Sequence, residues 1–143
     1  MRVLFDTSVL VPAVVDQLAN HEAALEALLR YTAPPHRGFC STHALAECYA
    51  TLTALPLARR VLPNEARMLI EETICVRVTA VPLTADDYSA ALRRAAEPGL
   101  ASGAVYDALH VCCAERTSAD RILTYNLGDF ERCQPRGIVV TAP

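Results

Sequence analysis

Val3-Leu4-Phe5-Asp6-Thr7-Ser8-Val9-Leu10-Val11 places a single carboxylate in the middle of an apolar run at the start of the chain. Such a run, rich in β-branched and large apolar residues, reads as a strand of a parallel sheet covered on both faces, because strands buried on both sides are continuously hydrophobic. A carboxylate buried there without a partner costs roughly several kcal/mol. Asp6 therefore needs a hydrogen-bond donor, a cation or a metal. Thr7 or Ser8 is predicted to cap a helix running from Val9 to Leu18, with Pro12 near its first turn, where proline is tolerated. The switch from strand to helix falls at Asp6.

Reading outward, Asn20 is expected to cap a helix from His21 to Tyr31 with Ala24, Leu25, Leu28 and Leu29 as its apolar stripe. Proline and glycine make 33–38 a loop ahead of a short strand at Phe39-Cys40. Ser41-Thr42 starts a helix from His43 to about Ala54, whose stripe is Leu45, Cys48, Tyr49, Leu52 and Leu55. Glu47 lies off that stripe, in a position that suits an ordinary solvent-facing glutamate, yet no other charge occurs between Ala44 and Leu55. Residues 56–63 read as a connection, 64–74 as a helix, and Cys75 to Val81 as a strand. Thr84-Ala85-Asp86-Asp87 resembles a capping box opening a helix to about Glu97, which Pro98-Gly99 ends. From Ser102, a candidate cap, a helix to Ala114 is apolar nearly all round, with Asp107 its only charge. Arg121 to Tyr125 is a strand, Asn126 to Asp129 a turn, and Ile138 to Thr141 the last strand. Alternation of strands and helices predicts one α/β domain over 1–143, a three-layer α/β/α sandwich with a mostly parallel central sheet. Ligands of such sheets bind beyond the carboxyl ends of the strands, where Asp6 and the 124–129 segment fall.

Composition narrows the function. With 143 residues, 52% of them hydrophobic, the chain can bury a real core. Asp6 interrupts what would be the apolar region of a secretory signal, and no apolar run approaches the length of a membrane span, so a soluble cytoplasmic protein is expected. The net charge of −3 gives no bulk attraction for nucleic acid, so any such contact must be local. All 13 basic residues are arginine, able to clamp phosphates bidentately. Genome-wide preference for arginine codons explains that equally well. Cys40, Cys48, Cys75, Cys112, Cys113 and Cys133 form no zinc-ribbon spacing and are expected to be buried free thiols.

The chemistry-bearing feature is a set of isolated carboxylates in apolar settings: Asp6 at a strand end, Glu47 and Asp107 on helices, and Asp129 in a post-strand turn. If they converge, they stay ionised together only with a cation, because like charges a few ångströms apart raise each other's pKa. An all-oxygen donor set favours Mg²⁺ or Mn²⁺, which activates water and stabilises the leaving oxygen of a phosphodiester.

Val3-Leu4-Phe5-Asp6-Thr7-Ser8-Val9-Leu10, Ala46-Glu47, Tyr106-Asp107-Ala108-Leu109-His110 and Leu123-Thr124-Tyr125-Asn126-Leu127-Gly128-Asp129-Phe130 resemble, in order and spacing, the four acidic motifs of PIN-domain proteins. The similarity covers the whole chain. Ala46-Glu47-Cys48-Tyr49 followed by Leu52-Thr53-Ala54-Leu55-Pro56 is further similar to VapC-like toxins of bacterial toxin–antitoxin pairs. The resemblance implies a Mg²⁺- or Mn²⁺-dependent endoribonuclease, usually a homodimer, held inactive by a small antitoxin protein. It also implies Asp6, Glu47 and Asp107 as metal ligands, Asp129 as a fourth, more variable acid, and Thr124 as the polar residue supporting the cluster. Asn126 stands where some relatives carry aspartate, so either Asp129 or water would complete the site. Ser8 is a supporting residue or a helix cap. Arg37, Arg59 and Arg60 are candidates for RNA or antitoxin contacts.

Rival chemistries fit less well. His43 with Glu47 and Asp107 with His110 have zinc-binding spacings, but neither belongs to an HExxH pattern, and most helical histidines are simply packed. A phosphotransfer aspartate at position 6 wants a second aspartate two residues on, where Ser8 stands. A non-toxin PIN nuclease, or a catalytically silent PIN-like interaction module, remains the alternative in kind.

Overall fold

The computed structural model describes residues 1–143. The opening run divides into strand β1 (Arg2–Phe5) and helix α1 (Thr7–Val14), with Asp6 between them. Helix α2 (His21–Thr32) leads to β2 (Arg37–Ser41), α3 (Thr42–Ala54) and α4 (Pro63–Leu69), whose last part widens into a π-helical turn over Ile70–Ile74. Strand β3 (Thr79–Val81), helices α5 (Ala85–Ala96) and α6 (Ala104–Arg116), strand β4 (Arg121–Leu123), helix α7 (Leu127–Arg132) and strand β5 (Val139–Thr141) complete the chain.

The five strands form one sheet in the order β3-β2-β1-β4-β5, and every pairing is parallel. Strand β1 is therefore central, which is why it is apolar on both faces. Leu4 registers against Phe39 on one side and Ile122 on the other. Alternate side chains of β1 serve different cores. Val3 and Phe5 pack with residues of α1 to α4, whereas Leu4 packs with Ile122 and with α5, α6 and Phe130 of α7. Helices on both faces of a parallel sheet are the expected three-layer sandwich. The strand order reverses between β1 and β4, and a crevice opens beyond their carboxyl ends at such a switch point.

Several local expectations change. Asp6 itself caps α1, its carboxylate accepting the Ser8 N–H at 3.3 Å, and the helix stops at Val14 rather than Leu18. The segment from Cys75 is not strand until Thr79. The π-helical turn carries the coil onward, with the Arg77 and Val78 N–H groups both bonded to the Ile74 carbonyl at 3.0 Å, and only three residues remain to pair with β2. Ser102 does not cap α6: it takes a left-handed conformation with φ of 57°, and Gly103 occupies the cap position. The turn at 126–129 continues into α7 because Phe130, fully buried, anchors that segment in the second core. By contrast, Ser41 and Thr84 cap α3 and α5 as expected, with Asp87 returning a bond to the Thr84 N–H at 2.7 Å. Five cysteines are buried, but Cys75 is exposed because its segment is a turn. No helix is long and apolar enough to cross a membrane.

Candidate functional site

Asp6 leaves β1 at the switch point and is 4% exposed. One of its oxygens, Oδ2, is saturated: it accepts the Ser8 hydroxyl at 2.6 Å and the Thr124 hydroxyl at 2.8 Å in addition to the Ser8 N–H. Those donors are themselves fixed by backbone, since Ser8 Oγ accepts the Tyr125 N–H and Thr124 Oγ1 accepts the Asn126 N–H, both at 2.9 Å. The ends of β1 and β4 are thereby tied through one carboxylate oxygen, with the Ser8 and Thr124 hydroxyls as its donors. The other oxygen, Oδ1, receives no hydrogen bond and lies 3.8 Å from His110 Nε2.

Glu47 does not face open solvent. Its helix lies against α1 and α6, so the flank beside the apolar stripe turns toward Asp6. The Glu47 Oε2 atom is 2.7 Å from His110 Nε2 and accepts the Thr7 hydroxyl at 3.4 Å. His110 is 1% exposed and its Nδ1 lies 3.0 Å from Ser41 Oγ. Burial pushes the Glu47 carboxyl upward, but the His110 hydrogen bond, the His110 and His43 charges and the Thr7 hydroxyl outweigh it and hold the group below its ordinary value. Burial likewise depresses the His110 imidazole. The hydrogen bond to Glu47 and the charges of Asp6, Glu47 and Asp107 reverse that and raise it. A histidine on an otherwise apolar helix needs a buried partner as much as Asp6 does. That signal could have placed His110 in the site from sequence.

Asp107, in the first turn of α6, accepts no hydrogen bond from the chain. Burial, and next the Asp6 charge, push its carboxyl up to about 6, with Asp129 and Glu47 adding to the rise and His110 opposing it. Asp6, Thr7, Ser8, Glu47, Asp107 and Asn126 together line a cleft of about 410 Å³. Asp129 does not line it. It sits on α7 close enough to act on Asp107, half-exposed and paired with Arg132. Of the arginines, Arg37 lies at the amino end of β2, opposite the cleft, and Arg59 pairs with Glu65 at 2.5 Å beside α4. Arg60 is exposed in the same connection and lines no cavity with the carboxylates. A larger cleft of about 780 Å³ between α5, α6 and α7 is rich in arginine. Arg94 and Arg116 there are already paired with Glu115 and Asp87, and none of the isolated carboxylates lines it.

As the side chains stand, no group of three or more histidine, cysteine, aspartate or glutamate residues could hold a metal ion. The donor set nevertheless has the chemistry of a hard-cation site. Asp6 Oδ1, Glu47 Oε1 and both Asp107 oxygens carry no hydrogen bond, and all are carboxylate oxygens, the donor type that hard divalent cations take. His110 is committed to Glu47 and Ser41 rather than to a zinc-type constellation.

Residues 3–133 match the family model of the PIN domain. The ribonuclease VapC27 of Mycobacterium tuberculosis is 32% identical over 115 residues, covering 80% of this chain and 78% of that protein. Among solved structures, the fold resembles Mycobacterium tuberculosis VapC20, a sarcin–ricin loop cleaving toxin, with a TM-score of 0.73 and 19% identity over 95% of this chain and 98% of that one. It also resembles a toxin–antitoxin complex from Klebsiella pneumoniae, with a TM-score of 0.63 and 18% identity over 96% and 95% of the two chains.

Proposed function

We propose that this chain, which belongs to the PIN-domain family, is an endoribonuclease of the VapC-like toxin type that cleaves RNA phosphodiesters in the cleft of Asp6, Glu47 and Asp107. The observation that carries this reading is the convergence of three carboxylates from separate elements on one cleft at the sheet's switch point, in a chain 32% identical to a VapC ribonuclease. Asp6 Oδ1, Glu47 Oε1 and Asp107 would hold Mg²⁺ or Mn²⁺. When bound, the ion supplies an activated water and stabilises charge on the phosphate oxygens. The protein's own part is positioning. Ser8 and Thr124 fix the orientation of Asp6, and His110 fixes that of Glu47 and keeps it ionised. The Asn126 side chain, which lines the cleft without a capping bond, would donate to a phosphate oxygen. Asp129 would join the site only on leaving Arg132.

A small antitoxin protein is the proposed partner, a homodimer the proposed assembly and the cytoplasm the proposed location. The Klebsiella pneumoniae complex supports the first. The test is incubation of the purified protein with a broad RNA panel in Mg²⁺ or Mn²⁺ and then with EDTA, alongside Asp6→Asn and Asp107→Asn. Cleavage lost on chelation and in both variants is expected. Cleavage that ignores both would overturn the carboxylate site, and a wild type that cuts nothing would favour a silent interaction module. Growth arrest on expression, relieved by a small protein encoded next to the chain, is expected of a toxin.

A further inference from the structure

Next to the cleft, an exposed aromatic ring stands on the residue preceding Asp107. Tyr106 is 47% exposed, and its ring is stacked on the His43 imidazole with centroids 4.9 Å apart and planes 23° from parallel. His43 is one helical turn before Glu47 on α3, and its Nε2 lies 3.9 Å from Glu47 Oε2. That nitrogen is buried without a hydrogen-bond partner. The imidazole is in turn 6.1 Å, centroid to centroid, from His110, with the two rings tilted 50° apart, so the stacked pair adjoins the group that holds Glu47. Glu47, Thr51 and Leu55, each four residues apart, line the cleft along α3, and His43 extends the same row by one step. At 1.5 Å per residue this sets the stacked pair about 6 Å along the helix axis from Glu47. That is the reach of a nucleotide beside the cleaved phosphate rather than of the phosphate itself. One π-face of Tyr106 is occupied by His43, which holds the ring in place. The opposite face of the ring is left to water at the rim of the cleft.

We propose that the Tyr106 ring, backed by His43, is a base-stacking platform that holds an unpaired RNA base next to the scissile phosphodiester. The proposal rests on the ribonuclease reading above and deepens it: the substrate is RNA with a splayed, single-stranded nucleotide at the cut site. Proteins take up unstacked bases in this way, on aromatic faces that every base can use. The platform supplies affinity for single-stranded RNA and little discrimination between bases. A paired duplex cannot offer a free face to it.

The experiment uses single-stranded RNA oligonucleotides carrying 2-aminopurine, whose fluorescence falls on stacking, with a fully paired duplex as control. Binding and quenching are read in EDTA, where no cleavage occurs, and KM and kcat are read separately in Mn²⁺. Tyr106→Phe should retain quenching and affinity. Tyr106→Ala, and Tyr106→Leu, which keeps apolar bulk but has no π-face, should lose quenching and weaken affinity by roughly 5- to 150-fold. The loss should fall on KM more than on kcat. Circular dichroism of both variants guards against misfolding, and Tyr106→Leu keeps the test alive should the alanine variant fail it. Quenching unchanged in Tyr106→Leu, or equal binding of duplex and single strand, would overturn the platform while leaving the ribonuclease reading intact. Quenching that depends on Tyr106 in a protein that cuts no RNA would support the platform and sink the ribonuclease reading. A dimer that dissociates in Tyr106→Leu, with RNA signals unaltered, would assign the ring to contact between copies instead.

Discussion

Replacing Asp107 by asparagine should make the metal-free protein more stable and inactive at once. The Asp107 carboxyl sits at about 6 instead of its ordinary 3.8, chiefly because burial and the neighbouring Asp6 disfavour its charge. Between those two values the folded chain holds a proton that the unfolded chain has released, so stability falls as pH rises through that window and the penalty is complete above about 6. The difference between those two values corresponds to roughly 3 kcal/mol. Asp107 is only partly buried, and water in the cleft screens the repulsion, so about 1–2 kcal/mol is the expected gain. Urea denaturation of wild type and Asp107→Asn in EDTA at pH 7.5 reads that gain directly. Repeating it at successively lower pH should shrink the difference, leaving well under 1 kcal/mol near pH 4. Adding Mn²⁺ at pH 7.5 should stabilise wild type and leave the variant unmoved. If Asp107→Asn is as stable as wild type or less stable at pH 7.5, or if the gap does not change with pH, the charge imbalance inferred for the cleft is wrong.

The supports of the other two carboxylates should behave differently. His110→Asn should destabilise the protein by roughly 2–4 kcal/mol, since it strips a buried ion pair of one partner. The loss should be greatest between pH 4.5 and 6.5, the ordinary values of the two groups. The contribution of a lowered Glu47 is lost as pH falls through its folded pKa, and that of a raised His110 as pH rises through its own. Thr124→Val, which keeps shape but removes the hydroxyl that serves both Asp6 and the Asn126 N–H, should cost about 1–3 kcal/mol in denaturant. Its kcat should fall at least tenfold, and an unaltered kcat would show that the orientation of Asp6 does not matter. Gly38→Ala should destabilise by about 1–3 kcal/mol without touching catalysis, because a Cβ there would lie 2.7 Å from Thr32 Cγ2 and 3.0 Å from Phe5 Cε2. A melting temperature equal to wild type would mean that α2 and β1 yield more readily than their packing suggests.

The sheet was legible in the sequence because burial on two faces writes itself as an unbroken apolar run, and β1 is such a strand. Edge elements carry no such mark. Strand β3 pairs on one side only and is three residues long, so its alternation could not be told from that of the π-helical turn before it. Asp6 and Asp107 were legible for the same reason as the sheet, as charges stranded in apolar surroundings. Glu47 was nearly lost, because a helical wheel reports which side is apolar and not which polar flank another element covers. His110 was weighed only for its spacing from Asp107 and set aside as packed, since the partners that bring it into the site, Ser41 and Glu47, are 69 and 63 residues away in sequence. Asp129 is the reverse case: motif position puts an acid near the cluster, and only the fold adds that it is half-exposed and paired with Arg132 while still close enough to act on Asp107. What the sequence exposes is a residue at odds with its local surroundings. What it hides is how such residues relieve one another. In this protein Asp6 is held by the Ser8 and Thr124 hydroxyls and Glu47 by His110, which leaves Asp107 as the one of the three cleft carboxylates that receives no hydrogen bond from the chain.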